Sequence, residues 1–180
     1  MVPEKVTELP AEQIWEYRNR VQLRGFGSEL GFLAPGTNEK VPVDRCEIAR
    51  PEINAAWEET RLEGARLSRP YKVEVEVLPT GIRRTWNEGH GAAGFRQVHD
   101  AQNEKLQAWV AAAVGSRGVL LDLYGGSGNL SLGLLERVEQ VHCVDLTAGR
   151  ALAEKDDPPA DRYRFHRQAV APWLVRNSAS

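Results

Sequence analysis

Apolar and polar positions change their period along this chain. From Tyr17 to Arg24 they alternate, with Tyr17, Asn19, Val21 and Leu23 on one side and Arg18, Arg20, Gln22 and Arg24 on the other. That is the period-two signature of a half-buried strand with an arginine face. Gly25-Phe26-Gly27-Ser28 then predicts a hairpin turn and Leu30 to Leu33 a return strand, while Pro35 to Asn38 forms a second turn before a third strand at Val41 to Val43. Pro51 in a first-turn position, followed by Ile53, Ala56, Trp57 and Thr60 at helical spacing, predicts a helix over 51–65. Val73, Val75 and Val77 alternate with glutamates, Pro79-Thr80-Gly81 turns the chain, and Ile82 to Trp86 returns. The polar, proline-bearing residues 1–13 are expected to form an arm or a loose edge.

Glu88 to Gly94 is expected to be a link, after which a short strand, a cap at Asp100 and a helix to about Val114 follow. Leu106, Trp109, Val110 and Ala113 share one face of that helix. Val119 to Leu123 is apolar but for Asp122, between Gly118 and the glycines 125, 126 and 128, as in a buried strand of a parallel sheet. Leu130, Leu134 and Leu135 predict a helix starting near Asn129, and the apolar strand Val141 to Val144 ends on Asp145. Thr147 to Lys155 reads as a second helix, Asp156 to Ala160 as a loop, Tyr163 to His166 as a third strand and Pro172 as the start of a last helix. The predicted class is α/β: a small α+β domain with antiparallel strands over 1–93, then a Rossmann-like half over 94–180.

In a βαβ unit the ligand sits over the carboxyl ends of the strands, where a glycine-rich turn lets backbone come close. Asp145, 23 positions after Asp122, falls where an acid can take both hydroxyls of a ribose. The expected ligand is a nucleoside. A lone glycine turn is as often structural as ligand-binding, so the strand, turn, helix, strand and acid in series carry this reading. Ser131 stands where a dinucleotide fingerprint has its third glycine. Asp122-Leu123-Tyr124-Gly125-Gly126-Ser127-Gly128-Asn129 resembles the first motif of S-adenosylmethionine-dependent methyltransferases more than a nicotinamide site.

At 180 residues and 42% hydrophobic composition the chain has material for one large or two small cores. No apolar run approaches the ~20 residues that span a bilayer, and the N-terminus lacks the order of a signal peptide. A cytoplasmic protein is expected, with Cys46 and Cys143 reduced. The 23 basic and 25 acidic residues give a net charge of −2, which argues against a generic polyanion binder. Distribution changes the picture: residues 1–60 hold 7 basic and 11 acidic groups, whereas 61–100 hold 7 and 5. A nucleic-acid footprint would be a local patch around Arg66, Arg69, Lys72, Arg83, Arg84 and Arg96, with an ordinary solvated strand face as the plain alternative.

Trp15-Glu-Tyr-Arg-Asn-Arg-Val, Val43-Asp-Arg-Cys-Glu-Ile, Gly94-Phe-Arg-Gln-Val-His and the Asp122-to-Asn129 turn, in this order, resemble the RNA (uracil-5-)-methyltransferases, over about residues 15–170. That family methylates carbon 5 of uridine in ribosomal or transfer RNA. The resemblance implies S-adenosylmethionine as cofactor and RNA as partner. It implies that Gln97 contacts the methionine part, that Phe95 lies near cofactor or target base, and that Tyr124, Gly126, Gly128 and Asn129 form the turn touching the cofactor. Asp145 would hold the ribose and Gln168 would lie near the adenine, while Arg18 and Arg20 of the arginine strand are candidate RNA contacts. His99 stands where many relatives carry Asn. Cys46 matches one ligand of an iron–sulfur cluster found in some members, but one thiolate cannot hold a cluster.

The family reaction uses a cysteine that adds to carbon 6 of uracil and a glutamate that removes the carbon 5 proton. Both follow a fourth strand, so this sequence is expected to be cut at both ends, to lack the catalytic pair and to be inactive alone. Asp157-Pro158-Pro159 precedes the place of the family's Asp-Pro-Pro-Arg and reads as a loop. A sheet ending at its third strand would leave an apolar edge open to self-association or to a partner. The alternative is a non-catalytic RNA-binding or regulatory module acting through the arginine strand. A nicotinamide oxidoreductase is the weakest reading.

Overall fold

A computed structural model of the chain describes residues 8–88, 96–116, 118–146 and 161–177. These fall into two compact units, one of residues up to 88 with Val98–Gln102, the other of 96–97 and Asn103 onward.

The first unit is an antiparallel sheet of β1 (Arg20–Phe26), β2 (Glu29–Leu33), β3 (Lys40–Pro42), β4 (Tyr71–Leu78) and β5 (Gly81–Trp86), in the order β3-β2-β1-β4-β5. The alternation read in β1 is real: Leu23 is fully buried and Val21 nearly so, beside Val73, Val75 and Ile53. Burying each such side chain stabilises the fold by roughly 1.5–3 kcal/mol. Helices α1 (Pro51–Ala55) and α2 (Trp57–Ala65), separated at Ala56, occupy the predicted 51–65. Trp57 donates its indole N–H to the Val43 carbonyl at 3.0 Å. Arg84 binds Glu59 at 2.5 Å and the Thr60 hydroxyl at 2.9 Å, pinning α2 to the edge strand β5. That engagement, with Arg83 on Glu76 at 2.7 Å, takes two cations out of the anticipated basic patch.

The first hairpin turns later than predicted. Gly25 lies inside β1, and Gly27, at φ 54, opens the turn. Gly25 is a packing glycine: a Cβ there would overlap the Tyr71 ring, which presses against the strand and donates its hydroxyl to the Gly27 carbonyl. The expected cap at Asp100 is replaced by His99. The Gln102 N–H donates to His99 Nδ1 at 3.3 Å, which leaves Nε2 protonated to donate to the Gln13 carbonyl at 3.0 Å. Asp100 instead accepts from Asn19 at 2.6 Å and Arg50 at 3.4 Å. His99 also stacks on Tyr17 with ring centroids 4.6 Å apart.

Helix α3 (Asp100–Ala113) leads into the second unit, a parallel sheet of β6 (Val119–Leu123), β7 (Gln140–Asp145) and β8 (Tyr163–Arg167) in that order, followed by α4 (Val170–Asn177). One face packs Leu120, Val141, Cys143 and Tyr163 under Leu132, Leu135 and Val138; the other packs Leu123 and Val144 under Val170 and Trp173. The helix expected from Asn129 does not form. A single 3₁₀ turn, Leu132–Leu134, stands among tight turns, because Gly133 weakens the helix and the Ser131 hydroxyl is drawn to the Asp122 carboxylate. The helix predicted at 147–155, the loop at 156–160 and most of the link before Gly94 lie outside the described residues.

On the face of β7 and β8 that packs against Trp173, His142 Nδ1 and His166 Nε2 are 2.8 Å apart, with ring centroids at 5.0 Å and planes 7° apart. The rings are therefore nearly coplanar and share one hydrogen bond. Gln140 donates to the Asp161 carbonyl at 2.9 Å, so its Oε1 faces and accepts from His142 Nε2 at 2.9 Å. His142 Nδ1 then accepts, and His166 donates.

Candidate functional site

The carboxyl ends of β6, β7 and β8 come level because the parallel register pairs Leu123 with Val144 and Asp145 with Arg167. One residue beyond β6, Tyr124 takes a left-handed backbone at φ 60, its N–H donating to the Val144 carbonyl at 2.8 Å and its side chain 75% exposed. Such a conformation is uncommon for a side chain of this size and marks a constrained position. Gly126 and Gly128 follow at φ 55 and 72, values that glycine adopts without penalty.

Asp145 closes the turn: its Oδ2 accepts the Gly126 N–H at 3.0 Å. Beneath lies a packed floor, since a Cβ on Gly125 would overlap the Asp122 carboxyl and Cys143 Sγ, and one on Gly128 the Tyr163 hydroxyl. Gln168 stands on the far side. Its N–H donates to the Asp145 carbonyl at 3.0 Å, and its side-chain oxygen accepts from Arg176.

Asn129 is fixed from α3. Its amide and that of Asn103 exchange hydrogen bonds of 2.7 and 2.9 Å, while Gln107 donates to the Asn129 carbonyl at 2.8 Å. The sequence reading missed Asn103 and Gln107; two amides one helical turn apart, alongside the apolar Leu106 and Val110, were the available signal.

Tyr124, Gly126, Gly128, Asn129, Asp145 and Gln168 are thus brought together at one end of one sheet. Gln97 is half-buried and belongs to the same unit. Phe95 lies outside the described residues. Arg18 and Arg20 belong to the other unit, where Arg20 is only 6% exposed and sits 3.6 Å from Glu74, while Arg18 Nε donates to the Arg20 carbonyl at 3.4 Å.

The cluster is built to bind and orient. Cys143 is fully buried, and burial first, then the nearby Asp122 and Asp145, pushes its thiol up to about 11, so it stays protonated. A thiol in that state is a poor nucleophile. Burial pushes the Tyr163 phenol up as well. Cys46 packs on the first core, its backbone held by the Asn54 amide at 2.9 and 3.0 Å.

No protein-family profile matches the sequence. The chain is 27% identical to an uncharacterised RNA methyltransferase of Nitrosomonas europaea, over 84% of this chain and 38% of that protein. It is 27% identical to the 23S rRNA (uracil(1939)-C(5))-methyltransferase of Cronobacter sakazakii, covering 87% of this chain and 50% of the relative. A tRNA/tmRNA (uracil-C(5))-methyltransferase of Pseudomonas putida is 34% identical over 59% of this chain and 30% of its own length. The chain therefore spans half or less of these relatives. Among solved structures, the Pyrococcus abyssi tRNA (uracil-54, C5)-methyltransferase in complex with S-adenosyl-L-homocysteine superposes with a TM-score of 0.58, at 16% identity, over 77% of this chain and 51% of that one. At that identity the match speaks for the fold.

Proposed function

From its kinship with the RNA (uracil-C5)-methyltransferases, of which this chain is a relative, we propose that the chain supplies the S-adenosylmethionine-holding part of an enzyme that methylates carbon 5 of uridine in ribosomal or transfer RNA. The observation that carries the reading is the closure of the turn by Asp145, with Tyr124, Asn129 and Gln168 around it. Asp145 takes the ribose hydroxyls, Gln168 lies toward the adenine, and Tyr124, Asn129 and Gln97 bound the methionine side. Gly126 and Gly128 leave room for close approach. When bound, the cofactor supplies an electrophilic methyl on a sulfonium. The chain's own residues hold and orient it, and the floor of Asp122, Cys143 and Tyr163 keeps the turn in shape. Cys143 is not the nucleophile under this reading, and methyl transfer by these 180 residues alone is not expected. This reading keeps the cytoplasm as the expected location.

Calorimetric titration of the chain with S-adenosylmethionine tests this. Saturable binding is expected, weakened at least tenfold in Asp145→Ala, about 1.4 kcal/mol. Absence of binding by the folded chain would remove the cofactor role and leave the second reading, a non-catalytic RNA-binding module. The edge of β6 that no strand pairs with among the described residues belongs to the same proposal: another strand, from a second copy or a partner, pairs there.

A further inference from the structure

Register turns the polar face of the first sheet into two unlike ends. β1 and β4 pair Arg20 with Glu76, Gln22 with Glu74 and Arg24 with Lys72. At the first end charges are matched, Arg20 lying 3.6 Å from Glu74 and Arg83 2.7 Å from Glu76. At the other, two cations stand directly opposite each other, an arrangement that costs stability. Among the described residues neither Arg24 nor Lys72 makes an ion pair. Sequence alone placed the arginines on one face but could not show which would face a carboxylate and which a lysine.

Those cations line a cavity of about 520 Å³ together with Phe26, Leu33, Asn38, Lys40, Tyr71 and Asn87. Phe26 is 56% exposed, two residues from Arg24 and on its face of β1. Lys40, opposite Leu33, closes the other side, bonded at 2.6 Å to Glu29, which is not part of the lining. Asn87, left-handed at φ 58, locks the rim: its N–H donates to the Lys72 carbonyl at 2.8 Å and its side chain accepts the Lys72 N–H at 3.0 Å. Among the described residues no carboxylate lines the cavity.

We propose that this groove docks a short single-stranded segment of RNA, with phosphates on Arg24, Lys72 and Lys40, a base on Phe26, and base edges on Asn38 and Asn87. The inference rests on the methyltransferase reading for its choice of RNA, and moves the RNA contact from Arg18 and Arg20 to the hairpin end of the same strand. Exposed aromatic beside unmatched cations is the combination that single-stranded nucleic acid uses, stacking for bases and charge for backbone. An acidic peptide would use the cations and leave Phe26 and the amides idle. Because the whole chain carries a net charge of −2, attraction of a polyanion has to be local.

Fluorescence anisotropy of the full chain with a labelled single-stranded oligoribonucleotide, across a salt series, is the test. Arg24→Ala/Lys72→Ala is expected to weaken binding at least tenfold and to flatten the salt dependence by about 1.4 in log–log slope, two contacts at ~0.7 each. Phe26→Ala is expected to weaken it roughly 5- to 150-fold, ~1–3 kcal/mol for a stacked base, with the slope unchanged. Phe26→Tyr and Arg24→Lys/Lys72→Arg should bind nearly as wild type, which separates loss of contact from loss of fold. Wild-type affinity in the double alanine variant, no RNA binding by the wild-type chain, or equal binding of polyglutamate would overturn the proposal. The same samples are titrated with S-adenosylmethionine: cofactor binding without groove-dependent RNA binding rejects the groove alone, and the reverse result rejects the cofactor reading while the groove stands.

Discussion

Glycines 125 and 126 are neighbours with different reasons for being glycine, and substitution separates them. At Gly125 a methyl group has no room, because the Asp122 carboxyl and Cys143 Sγ occupy its place; Gly125→Ala should cost about 1–3 kcal/mol, as overpacking does. At Gly126 the space is open but φ is 55, so Gly126→Ala should cost about 1–2 kcal/mol through backbone strain alone. Urea denaturation measures both, and relieving the floor with Cys143→Ala should rescue only the first. His142 and His166 give a pH prediction at the same scale. Burial foremost lowers both from the usual 6.5, followed by Arg164 at His142 and by His142 and then Arg164 at His166. Gln140 and Trp173 add no charge beside them. The unfolded chain takes up these protons first as pH falls, so this stability is complete above the ordinary histidine range and lost as pH falls through the lowered folded values. Melting temperature should drop between about pH 7 and 5, and His142→Gln/His166→Gln should flatten that part of the profile.

At the scale of elements, the exposed edge strand is the feature with a consequence in solution. β6 pairs only with β7 among the described residues, and Val119 and Leu121, 60% and 47% exposed, project from it on one face. An apolar strand with one unpaired side is a template for another strand. Light scattering should therefore show concentration-dependent association, and Leu121→Lys should suppress it while leaving cofactor affinity within twofold. A monomer at all concentrations would count against strand pairing at this edge. α3 also departs from a simple amphipathic helix. None of its residues is fully buried and Trp109 is 56% exposed, so its clearest task is to carry Asn103 and Gln107 to Asn129.

For the whole molecule, the two proposed roles fall on different units. The site proposed for the cofactor lies at the strand ends of the parallel sheet, and the cations that make no ion pair among the described residues stand at one end of the polar face of the antiparallel sheet. Neither assignment could come from bulk properties, since a net charge of −2 conceals both the Arg20–Glu74 and Arg83–Glu76 pairs and the two cations, Arg24 and Lys72, that make no ion pair among the described residues. The cofactor and RNA titrations therefore address separate surfaces, and a variant in one should leave the other intact.

What the sequence determined by itself was whatever depends on local period and local stereochemistry. The alternation of Val21 and Leu23 located β1, the apolar run Val119 to Leu123 located β6 at its true limits, and an acid ending the next strand located Asp145. These signals are legible because a strand's two faces and a turn's positive φ are written within a few residues. Only the tertiary structure decided the rest. Gly25 is a strand residue because Tyr71, far along the chain, fills the space beside it. His99 caps α3 because Asn19 and Arg50 engage Asp100, and the leucines after Asn129 form tight turns above a parallel sheet rather than a helix. Arg20 and Arg24 look alike in the sequence and diverge because the register sets one against glutamates and the other against Lys72. Pairing partners distant in sequence are set by the packing of the whole sheet, and no local pattern contains them.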